Sequence, residues 1–93
     1  MIQSFADKRV EALFDDGTSY RPWRAFEAVA KRKLDILDAA TTLDDLRTPP
    51  GNRLELLRGN RAGQYSIRIN DQWRLCFRWT VQGPEQVEIV DYH

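Results

Sequence analysis

The sequence predicts an α+β fold, with two N-terminal helices packed on one face of a mainly antiparallel sheet of four to five strands. Two observations carry this. Apolar residues recur at near fourfold spacing before Pro49 and Pro50 and at every second position after them. The alternating half is also cut by short Gly- and Asn-containing turns, which join hairpins rather than parallel crossovers. With 93 residues the chain is expected to be one domain, 1–93, because two pieces would each be too small to bury a core.

Taken in order, "IQSF" is a short apolar start able to pair as a strand. Ser4 is the expected N-cap of a first helix, with Asp7 three residues on; Val10, Leu13 and Phe14 form its apolar side and Gly17 stops it. A second helix is expected from Pro22 to Ala40, where Phe26, Ala30, Leu34 and Leu37 make one stripe. "TTLDDL" repeats the capping pattern with Thr42 and Asp45, giving one more turn that Pro49, Pro50 and Gly51 end. Four strand-like runs follow: "RLELLR", "QYSIRIN", "WRLCFRW" and "QVEIVDY". Alternation puts Tyr65, Ile67 and Ile69, then Trp73, Leu75, Phe77 and Trp79, then Val87 and Ile89 against the helices. Trp73 and Trp79 are accordingly expected in the core rather than stacked on bases.

Composition narrows the function. The single Cys76 cannot form an internal disulfide, and with one distant histidine it makes no metal site, so no metal or cofactor is expected. No membrane span or secretory leader is visible, and the cytoplasm is the expected compartment. Net charge is zero, which argues against a nucleic-acid binder until its distribution is read. Positions 47–78 carry seven arginines against two acidic residues. On the face turned away from the helices, alternation places Gln64, Ser66, Arg68 and Asn70 beside Arg74, Cys76 and Arg78, with Arg58 joining from the preceding run. Within 58–78 only Asp71 is acidic, so a phosphate-bearing partner is a natural counterpart, and guanidinium forks suit phosphate better than lysine does.

The chain ends in Asp91, Tyr92 and His93. RNA cleavage by transesterification needs a base for the 2′-hydroxyl, an acid for the leaving 5′-oxygen and positive charge on the phosphorane. The tail and the arginines contain those groups. The residues alone leave open whether His93 carries a proton or is a frayed end, and alternation separates Tyr92 from Asp91 and His93.

The stretch "RLELLRGNRAGQYSIRINDQWRLCFRW", with the terminal "VEIVDYH", resembles the HigB-type toxins of the RelE/ParE superfamily, and the similarity extends over nearly the whole chain. The resemblance implies a RelE-like toxin fold, ribosome-dependent cleavage of mRNA in the decoding site, and neutralisation by a HigA-type helix-turn-helix antitoxin, through which alone operator DNA would be met. Carried over by position, it implies catalytic roles for Asp91, Tyr92, His93 and Arg74, with Arg58 where relatives carry lysine. Glu55 stands where some relatives have a second histidine, and a carboxylate there can serve as base. Arg68, Arg78 and Asn70 are the further candidates for RNA contact, Asn70 falling where some relatives are basic. Two other readings remain open at this point: a ParE-like gyrase inhibitor that cuts no RNA, and a catalytically inactive toxin kept for autoregulation with its antitoxin.

Overall fold

A computed structural model describes residues 1–91. The first helix, α1, spans Lys8–Asp16 and ends on Gly17 in the left-handed conformation, where a side chain would be strained. Its N-cap is Asp7, whose carboxylate accepts from the Arg9 amide at 2.8 Å, and not Ser4 as the capping pattern suggested. Residues Arg21–Phe26 form 3-10 turns and the α-helix proper, α2, is Glu27–Ala39, so the expected single helix changes pitch at Phe26. The stripe is as read: Ala30, Leu34 and Leu37 are fully or almost fully enclosed, with Phe26 and Trp23 beside them. Thr42 and Asp45 cap the Leu43–Arg47 turn reciprocally.

Strands β1 (Glu55–Leu56), β2 (Tyr65–Arg68), β3 (Trp73–Thr80) and β4 (Gly83–Asp91) form an antiparallel meander in the order β1-β2-β3-β4. The first run is a strand over only two residues, while the last starts three residues earlier than its apolar pattern. Ile67, Leu75, Phe77 and Val87 are completely buried against Val10, Leu34 and Leu37, and Phe26 packs on Trp73 with ring centroids 5.2 Å apart.

The N-terminal segment does pair, through one parallel bridge between Phe5 and Val87. It closes the outer edge of β4 by donating from the Gln3 and Ala6 amides to Pro84 and Val87 carbonyls. Between β3 and β4 the register breaks: Cys76 faces Glu88 but Arg78 faces Glu85, so Gln86 and Val87 together oppose Phe77. This is a β-bulge, with Gln86 at φ 55°. The Gln86 amide, displaced from the ladder, donates to Ser4 Oγ at 3.0 Å. Ser4 was unavailable to cap α1 because its hydroxyl seals this bulge.

Gly83, at φ 133°, lies so close to the N-terminal segment that an added Cβ would stand 2.3 Å from the Met1 carbonyl oxygen. Gly83→Ala is therefore expected to lower stability by about 1–3 kcal/mol through backbone strain and loss of the Met1 contact. Urea unfolding measures this, and an unchanged midpoint would refute it.

The Asp45 carboxylate accepts from the Thr41 and Thr42 amides, which hold it below the ordinary carboxylate range. A depressed folded value contributes stability above the unfolded value of about 4 and loses it as pH falls through the folded one. Asp45→Asn should lower thermal stability at pH 7 and narrow the gap from wild type as pH drops below about 4. A gap that widens in acid contradicts this account.

Candidate active site on the outer face of the sheet

The register across the sheet builds the site. Glu55, Ser66, Cys76 and Glu88 form one transverse row on the face away from the helices, and Arg68, Arg74 and Val90 form the next. Arg74 and Glu55 are brought together: Nη1 of Arg74 is 3.6 Å from Oε1 of Glu55. The Arg74 side chain is only 12% exposed, so its charge is largely out of water and closely surrounded. Arg68 stands directly opposite Arg74 and pairs with the fully exposed Asp71. Two arginines therefore share one cross-strand position, each with a carboxylate of its own.

The centre of this face is not open, contrary to the expectation of an uncovered polar surface. Ser66 and Cys76 are completely buried. Arg61, from the Gly59–Arg61 turn, reaches over them to Gln64 at 3.0 Å and to Glu88 at 3.3 Å. Burial pushes the Cys76 thiol up to about 11, which leaves it protonated and unreactive at neutral pH. The apparent lack of acidic residues is corrected in the same way. Glu55 arrives from β1 and Glu88 from β4, so a charge count within 58–78 misses the groups that neutralise Arg74 and Arg61.

The remaining candidates divide by position. Arg78 and Arg58 are exposed at the other end of the sheet, about 13 Å from Arg74 for Arg78 at ~3.3 Å per strand residue. Arg78 Nη1 lies against the Gly63 turn, where an added Cβ would come within 3.0 Å of it. Asn70 accepts from the Gln72 and Trp73 amides at 2.9 and 2.8 Å, so its side-chain oxygen builds the β2–β3 turn. Asp91 is in register with Trp73 and so belongs to the helix-side face, where Gln72 Nε2 donates to it at 3.1 Å. Val90 pairs with Arg74, and the chain thus leaves β4 at the end of the sheet that holds Arg74 and Glu55. Tyr92 and His93 lie outside the described residues.

Three participants escaped the sequence reading. Arg61 and Glu88 roof the central row, and their pairing joins the turn before β2 to the far strand β4. Asn52 is completely buried, donates to the Leu46 and Thr48 carbonyls and accepts from Lys33 Nζ at 2.5 Å. An asparagine just after Pro-Pro-Gly reads as a turn residue, and nothing local announces a buried hub.

This arrangement offers concentrated positive charge beside a carboxylate, at the sheet end where Val90 and Asp91, the last described residues of β4, pair with Arg74 and Trp73. Residues 3–93 match the family model described as the RelE-like toxin of the type II toxin–antitoxin system HigB. Toxin HigB-1 of Vibrio cholerae is 48% identical over 95 residues, covering 100% of this chain and 98% of that protein. The Endoribonuclease HigB of Proteus vulgaris is 32% identical over 94 residues, with both chains covered completely. The chain belongs to the HigB family of RelE-like toxins of type II toxin–antitoxin systems.

Proposed function

We propose that this toxin is a ribosome-dependent endoribonuclease that cuts translated mRNA in the decoding site by acid–base transesterification. The observation that carries the reading is the enclosed Arg74 held 3.6 Å from Glu55, opposite Arg68 on β2 and Val90 on β4. The relative from Proteus vulgaris, named an endoribonuclease, supports the same chemistry. Membership of a toxin–antitoxin family implies an antitoxin partner, and we assign it to the HigA helix-turn-helix type.

In the proposed reaction Glu55 takes the proton of the 2′-hydroxyl and the 2′-oxygen attacks phosphorus. Arg74 and Arg68 stabilise the charge that gathers on the non-bridging oxygens, a preorganised role suited to guanidiniums that need not move. The bond from phosphorus to the 5′-oxygen breaks as His93 protonates the leaving oxygen, giving a 2′,3′-cyclic phosphate and a 5′-hydroxyl. Tyr92 orients the base at the cut. Asp91, on the other face of β4, acts through the conformation of the chain end rather than on substrate. Arg58 and Arg78, at the far end of the sheet, contact RNA or ribosome away from the cut, and Asn70 contributes by shaping the turn that carries Arg68 and Arg74.

His93→Ala is expected to slow cleavage by about 10²- to 10⁴-fold, the usual contribution of one positioned acid, while binding to the antitoxin is unchanged. New 5′ ends mapped on messages in a reconstituted translation system measure it. Full activity in the variant sinks the assignment, and DNA breaks without new RNA ends on inducing the wild-type toxin would establish a gyrase inhibitor instead.

Glu55→Gln preserves size and removes the proton acceptor. A loss of about 10²- to 10⁴-fold supports Glu55 as base, whereas retention of more than about a tenth of the wild-type rate confines it to holding Arg74.

A further inference from the structure

The cationic surface does not stop at Arg74. The turn at Pro50–Asn52 packs against β2, the strand that ends in Arg68. Lys33, projecting from α2, is pinned there by its 2.5 Å bond to Asn52 Oδ1. Asn52 cannot swing away, because it is completely buried and its Nδ2 is bonded to the Leu46 and Thr48 carbonyls. Arg53 follows directly and is exposed, held at φ 47°, a left-handed conformation that costs a non-glycine residue energy. The charges of Arg68 and Arg32 bear on Lys33, and that of Arg53 bears on Asp71, the carboxylate bound by Arg68.

Among the described residues neither Lys33 nor Arg53 has an ion-pair partner. Lys33 is held by a neutral amide, which uses one of its three donors and cancels none of its charge. The one carboxylate in the cluster, Asp71, is 99% exposed, so its attraction to Arg68 is screened by water and easily displaced. A fixed ammonium, a strained arginine and a third cation shared with the neighbouring site are the makings of an anion site. We infer that Lys33, Arg53 and Arg68 form a second phosphate site, which grips the RNA backbone beside the phosphate held at Arg74. Arg68 links the two, since it stands opposite Arg74 in the sheet and belongs to β2, against which the turn that holds Lys33 packs. That continuity favours a polyanion running across both sites over an acidic protein patch. The inference deepens the nuclease reading and rests on it for the choice of RNA.

The test uses the full chain and a short 2′-O-methyl oligonucleotide, which binds as RNA but has no 2′-hydroxyl to attack. Anisotropy titrations at several salt concentrations give the slope of log affinity against log salt, about 0.7 for each phosphate neutralised on a single strand. K33Q and R53Q are each expected to reduce the slope by about 0.7 and the double variant by about 1.4. K33R should restore it, and all should bind antitoxin as wild type does. An unchanged slope in the double variant overturns the site, as does a wild-type protein that does not bind the probe at low salt. Antitoxin affinity lost with RNA affinity intact assigns the corner to a protein partner and overturns it too. A wild-type toxin that binds with the expected slope yet leaves translated messages uncut keeps the site and removes the nuclease reading.

Discussion

The extra residue in β4 decides what the rest of this molecule can present. Side chains on a strand alternate with a period of two, so one inserted residue exchanges the faces of everything that follows it. After the bulge at Gln86, Val87 and Ile89 enter the core, Glu88 meets Arg61 over the buried Cys76, and Val90 comes beside Arg74. Without it Glu88 would face the helices, and Val87 and Ile89 would leave the core. The bulge is held by a residue 82 positions away in sequence, Ser4, whose hydroxyl accepts the Gln86 amide that the ladder leaves over. That hydrogen bond, with those from the Gln3 and Ala6 amides to Pro84 and Val87, ties the N-terminal strap to the face choice of β4.

Local periodicity made much of the fold legible. The α2 stripe, the inward rows of β2 and β3 and the Thr42–Asp45 cap depend on neighbours within a few positions, and each stands where the spacing puts it. Ser4 shows the boundary of such reasoning. Its spacing to Asp7 suits a cap, but Asp7 takes that role itself and the distant Gln86 amide claims the serine. The candidate site was legible as a set of arginines and illegible as a set of pairs. Glu55 reaches Arg74 through strand register, and Glu88 reaches Arg61 through register and the turn before β2, long-range properties that no count along the chain contains. Asn52 hides for the same reason, since its partners Lys33, Leu46 and Thr48 converge only after the turn folds back on α2 and β2.

Placing Arg68 opposite Arg74 works against stability, because like charges directly across a pair of strands repel. The two carboxylates that offset this differ in a way that matters for function. Asp71 is wholly in water and its pair with Arg68 is worth little, so an arriving phosphate displaces it at small cost. Glu55 is about half exposed and faces an arginine that is nearly enclosed, so removing it would leave a poorly solvated charge. A phosphate therefore gains most by adding to the Arg74–Glu55 pair and replacing Asp71. In the proposed mechanism that order keeps the Glu55 carboxylate in place when the substrate binds, which is the condition a general base has to meet.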